Sequence, residues 1–161
     1  MILFHGTGFV ARVIQNCDKS YYNHVGVVVE SGGALFIVDA NADGVQADRL
    51  SWRIRKYRHG GDFTVIKPKF DTSVEMERLL DRSDDSWIRY DYNNGIKELI
   101  NRKFGANLKI KLKDNKSICS HNVAQYAINL GIVTWDFKKL RIAYPEDYIR
   151  YMNTTRSIQL D

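Results

Sequence analysis

The feature that most constrains this chain is a run of β-branched residues broken by a glycine turn. Val25-Gly26-Val27-Val28-Val29 is followed by Ser31-Gly32-Gly33 and then by Ala34 to Ala40. β-Branched side chains favour the pleated, buried surface of a sheet. Two apolar runs separated by a glycine-rich turn read as a β-hairpin. The chain is therefore expected to build an antiparallel sheet around this hairpin. Ile2-Leu3-Phe4 is a further short strand, ended by Gly6 and Gly8, and Val45 to Leu50 and Phe63 to Lys67 are two more. Phe9 to Gln15 is expected to form a short helix.

The second half reads differently. Thr72-Ser73-Val74-Glu75 has the form of a capping box opening a helix. Tyr92 to Phe104 carries Ile96, Leu99, Ile100 and Phe104 at helical spacing, and Gly105 is expected to end that helix. Ser117 to Leu130 places Cys119, Val123, Ala127 and Leu130 on one stripe. Pro145 suits the first position of a last helix through Met152. The expectation is one α+β domain over residues 1–161, β-rich over 1–70 and α-rich over 71–161, with the sheet packed on the helices.

Composition excludes several classes. Hydrophobic residues make up 44% and charged residues 27% of the 161, which is ordinary for a globular domain. No apolar run approaches the roughly 18 residues of a membrane span. Met1 to Gly6 lacks the basic start of a signal peptide, so a cytoplasmic site is expected, in the host cytoplasm or the virion if the protein is viral. Two cysteines, Cys17 and Cys119, are too few for a disulfide framework or a structural zinc site. The histidines and cysteines show no ligand spacing, so neither metal nor cofactor is expected. The net charge of +5 is spread along the chain. Its densest stretches, Arg49 to Arg58 and Lys109 to Lys116, read as solvated faces, with an anion-binding patch as the alternative. Trp52-Arg53 and Tyr57-Arg58 interleave aromatic and basic residues, but no nucleic-acid-binding fold accompanies them, so no specific nucleic-acid partner is expected.

Two residues stand out chemically. With Ser117 as N-cap, Cys119 falls in the first turn of its helix, where backbone N–H groups and the helix dipole favour a thiolate. His24 opens the Val25 to Val29 strand, a rigid mount for a general base. The competing histidines are less well placed. His121 lies two residues beyond Cys119 and points about 200° away around the helix. His59 beside Gly60-Gly61 reads as a loop residue, and His5 as a candidate lining of the site. Cys17 sits in a polar segment and reads as structural. For both Cys119 and His24 the bland alternative is a packed or surface side chain.

These residues resemble a family. His24-Val25-Gly26-Val27-Val28-Val29-Glu30 with Cys119-Ser120 far downstream is similar to the permuted, YiiX-like branch of the NlpC-type cysteine peptidase superfamily. That branch includes the lecithin:retinol acyltransferase relatives, and in it the His precedes the Cys. Ile2 to Gly6, Phe36 to Ala40, Gly44-Val45, Tyr90-Asp91-Tyr92, Ser117 to Ser120 and Tyr144 to Tyr148 resemble the family's successive motifs. His121 and Asn122 depart from the acidic residue and Leu that often follow the Cys-Ser pair. The resemblance implies a circularly permuted papain-like fold with a small barrel-like sheet, in a bacterial or phage protein. It implies a cysteine hydrolase in which Cys119 attacks an acyl carbonyl, His24 exchanges the proton and a third polar side chain orients the ring. Backbone N–H groups at the helix start, at Ser120, would hold the oxyanion, and Tyr90 is a second candidate lining. The substrate class it allows is a peptidoglycan amide, another peptide or isopeptide bond, or a lipid acyl group. A lipid acyltransferase or lipase, favoured by an exposed apolar rim near Trp52, Trp87 or Trp135, and a non-catalytic binding or virion module are the alternatives.

Strand geometry narrows the third residue. Glu30 shares a face with His24 but lies roughly 20 Å along the strand. If Gly32-Gly33 is the loop, opposed residues sum to 65, and Asp39 becomes the diagonal neighbour of His24. If Ser31-Gly32 is the loop, the sum is 63 and Asp39 lies directly opposite. A three-residue loop would send Asp39 to the other face. Asp39 is therefore the expected partner, with Asn41, of the same parity, as second choice.

Overall fold

The computed structural model describes residues 1–57, 61–66, 89–109, 111, 116–117 and 157–159. The expected helices from Thr72, over Ser117 to Leu130 and from Pro145 lie outside these residues, Ser117 excepted.

The order of elements is β1 (Ile2–His5), α1 (Phe9–Asp18), β2 (His24–Ser31), β3 (Ala34–Asn41), β4 (Gly44–Arg49), α2 (Leu50–Tyr57) and β5 (Asp62–Ile66). Then come β6 (Arg89–Tyr90), α3 (Tyr92–Phe104), β7 (Lys116–Ser117) and β8 (Ser157–Gln159). The main sheet has six strands in the order β4-β3-β2-β1-β5-β8, and every neighbouring pair is antiparallel. β6 and β7 form a separate parallel pair.

The α+β class is as expected, but the sheet is not barrel-like. Among the described residues it is open, with β4 and β8 at its two ends. The physical reason is the segment after β4. The chain passes directly into α2, which packs back on β3 and β4 and covers one face. A helix thus buries the apolar face that a closing sheet would otherwise have to bury.

The hairpin runs in the register of the Gly32-Gly33 loop. Ser31 opposes Ala34, Val28 opposes Ile37 and Val27 opposes Val38. Gly32 and Gly33 both take positive φ, 57° and 74°. Two successive left-handed residues match a type I′ turn, whose twist suits the flanking strands.

Both faces of the central strands are buried. One carries Ile2, Phe4 and Ile37, packed with Leu50, Ile54 and Tyr57 of α2. The Phe4 ring stacks on Tyr57 with centroids 4.4 Å apart. The other face carries Leu3, Val25, Val27, Val29, Val38 and Ala40. This explains why β2 reads as a nearly continuous apolar run rather than an alternating one.

α3 spans the expected residues, and Gly105 ends it at φ 63°. Its start is fixed by Asp91, whose carboxylate accepts from the Asn94 backbone N–H. The Asn94 side chain donates in turn to Asp91 at 2.7 Å and to the Lys111 carbonyl at 2.7 Å. Among the described residues no helix is long and apolar enough to cross a membrane.

Candidate functional site

The site is built on one face of the hairpin. His24 opposes Phe4 of β1, and their rings lie 5.9 Å apart. Asp39 reaches His24 diagonally across β2 and β3. His24 Nε2 donates to Asp39 Oδ2 at 2.8 Å. Since a carboxylate only accepts, this bond fixes the proton on Nε2. The His24 side chain is 10% exposed and that of Asp39 is fully enclosed.

Gly26 makes this diagonal contact possible. A Cβ there would stand 2.7 Å from Ile37 Cδ1 and 3.2 Å from Asp39 Cβ. The missing side chain leaves the space through which Asp39 lies against β2.

Asp39 has further partners. Its Oδ1 accepts from Asn41 Nδ2 at 2.7 Å and from Arg53 Nη2 at 3.0 Å. The same Arg53 nitrogen donates to Asp48 Oδ2. Asn41, the second choice for the partner of His24, instead braces Asp39. Arg53 lies in α2 and is buried, so the basic stretch Arg49 to Arg58 is not wholly a solvated face. The spacing of Leu50, Ile54 and Tyr57 is the signal that would have found this helix, because it sets an apolar stripe with Arg53 beside it.

The remaining candidates sit elsewhere. His5 follows Phe4 on β1, so it points to the opposite face from Phe4 and His24. Its Nδ1 lies 2.7 Å from the Tyr21 carbonyl, and its ring stacks on Tyr21 at 4.1 Å. A carbonyl only accepts, so Nδ1 carries the proton. The nearby Gln15 amide therefore donates to the Gly6 and Tyr21 carbonyls, both at 3.1 Å. The Tyr21 hydroxyl donates to Asp62, and this bond pushes the Tyr21 phenol up to about 12. Tyr90 is half-buried on β6, opposite Ser117 of β7, and its ring lies 4.8 Å from that of Tyr92. β6 packs against β3 and β4, and β7 against β4. Cys17 is a half-buried free thiol on α1. Cys119, Ser120, His121, His59, Trp87 and Trp135 lie outside the described residues. Trp52 is exposed, with Lys56 Nζ 5.6 Å from its ring centre. Among the described residues no group of His, Cys, Asp and Glu could hold a metal ion.

A buried imidazole with a fixed tautomer and an enclosed carboxylate behind it is equipped to take and return a proton. Neither protein-family models nor curated proteins give a match to this chain.

Proposed function

We propose that the protein is a cysteine hydrolase of the peptidase or amidase type, with Cys119 as nucleophile, His24 as base and Asp39 as the residue that orients His24. The observation that carries this reading is the 2.8 Å bond from His24 Nε2 to the buried Asp39 carboxylate. With Nε2 committed to Asp39, Nδ1 is the nitrogen that exchanges the proton with the thiol. The position of β7 adds support. Ser117 ends a strand packed against β4, the neighbour of the strand that carries Asp39. Cys119 follows two residues later, within about 7 Å of chain.

In this mechanism the thiolate of Cys119 attacks an acyl carbonyl. Backbone N–H groups at the helix start around Ser120 hold the oxyanion. His24 then gives its proton to the departing amine, leaving a thioester. Water, deprotonated by His24, attacks the thioester and releases the acid and the thiol. Asp39 keeps the ring in the required tautomer and balances the imidazolium charge. The substrate is an amide of a peptide, isopeptide or peptidoglycan type.

A thiol-reactive acyl probe tests the reading. At pH 6, Cys119 is expected to label at least about tenfold faster than Cys17, because an imidazolium neighbour and a helix start favour the thiolate. His24→Ala should abolish the difference. Equal labelling of the two cysteines, or labelling indifferent to His24, would overturn it.

A further inference from the structure

The carboxylate that holds His24 is linked to a second one. Asp39 Oδ1 accepts from Arg53 Nη2 at 3.0 Å, and the same nitrogen donates to Asp48 Oδ2. Arg53 is 4% exposed, Asp39 is fully enclosed, and the Asp48 side chain is 28% exposed. One guanidinium nitrogen is thus shared between an interior carboxylate and one that reaches solvent.

We propose that Asp48, acting through Arg53, is a positioning residue that sets how firmly His24 holds its proton. Arg53 is a fixed cation, because a guanidinium does not lose its proton in proteins. Among the described residues, the two carboxylates and one guanidinium of this cluster leave a single negative charge when the imidazole is neutral. The charge is cancelled when the imidazole is protonated. At low local dielectric such a balance acts strongly over short distances. Asp48 engages part of the Arg53 charge, so Asp39 presents more of its own to the imidazole. Without the Asp48 carboxylate, Arg53 would compensate Asp39 alone and the imidazolium would lose support.

Among the described residues, the other groups around the pair do not supply this control. Asn41 of β3 braces Asp39 with a neutral amide. β1 contributes the Phe4 ring, and α2 contributes Tyr57 stacked on it. β6 and β7, packed near β3 and β4, carry the basic residues Arg89 and Lys116, which the Asp48 variants leave in place. The inference rests on the hydrolase reading for its catalytic consequence only. Its effect on His24 stands apart from Cys119.

The test is an NMR titration of the His24 imidazole in the full chain. Asp48→Asn is expected to lower the titration midpoint by about half a pH unit or more, a threefold or larger change in proton affinity. Asp48→Glu is expected to keep the wild-type midpoint, and Asp48→Ser to reproduce the shift if the Asn variant folds poorly. If the hydrolase reading also holds, Asp48→Asn slows probe labelling of Cys119, since the thiolate–imidazolium fraction falls. A midpoint unchanged or raised in Asp48→Asn would overturn the inference and leave probe labelling intact. Probe labelling that ignores His24, with the midpoint still shifted, would instead overturn the hydrolase reading alone.

Discussion

Two histidines sit within a residue of each other in register, yet they occupy chemically different regions. His24 opposes Phe4, and His5 is the next residue along β1. Strand alternation sends them to opposite faces. On one face His24 meets a buried carboxylate backed by an arginine. On the other, His5 stacks on Tyr21 and donates to a backbone carbonyl. Neutral partners hold the His5 ring in place, whereas the His24 ring faces a charge that favours its protonated form. Adjacent positions thus gave one ring a charged network and the other a clasp between β1, β5 and the segment before β2.

The largest expected effect tests the charged side. Arg53→Met removes the cation between two carboxylates and leaves the buried Asp39 without its guanidinium partner. The expected loss is about 3–5 kcal/mol of unfolding free energy, read from denaturant midpoints. A loss below about 1 kcal/mol would mean that the cluster is open to water and that the contrast between the faces is false.

The next two substitutions probe the packing beneath each histidine. At Gly61 a Cβ would clash with the His5 backbone oxygen and stand 3.0 Å from that of Tyr57. Backbone cannot step aside as a side chain does, so Gly61→Ala should destabilise by about 3 kcal/mol. Gly26→Ala pushes mainly against the Ile37 side chain. It should destabilise by about 1–2 kcal/mol and weaken the His24 to Asp39 contact, read as faster solvent exchange of the imidazole N–H. If both alanines are neutral in thermal unfolding, these close approaches are not features of the folded chain.

The smallest effect concerns the clasp around His5. The Tyr21 phenol is raised to about 12, chiefly by its hydrogen bond to Asp62. A raised folded value means that this contribution to stability is complete below pH 10 and is lost as pH rises through about 12. Asp62→Asn should bring the Tyr21 titration, followed by tyrosinate absorbance, back toward 10. An unchanged titration would remove the Asp62 contact from the description.

How much of this was legible depends on the range of the signal. The partnership of Asp39 with His24 follows from a two-residue glycine turn and strand parity, both local, and the observed register is one of the two that allow it. The start of α3 at Tyr92 and its end at Gly105 are local too. Arg53 was hidden because charge density dominates the reading of Arg49 to Arg58. Its burial depends on α2 folding back over β3, which no local pattern states. α1 extends beyond Gln15 to Asp18 because Lys19 adopts the left-handed conformation at φ 51° and closes the helix. A lysine gives no hint of that conformation. The open sheet likewise depends on where α2 packs.

The Gly32-Gly33 turn also bears on the order of events in folding. His24 and Asp39 are 15 residues apart and joined by a tight hairpin, a contact that closes with little loss of chain entropy. Hairpins form in about microseconds, whereas distant segments must wait for longer loops to close. The proposed base and its orienting acid are therefore expected to assemble before the downstream thiol arrives. Pulse-labelled hydrogen exchange would see amides of β2 and β3 protected ahead of those in β5, and the reverse order would refute this. On the hydrolase reading, a newly made chain would hold its proton acceptor ready before the proposed nucleophile is in place, and would stay inert until then.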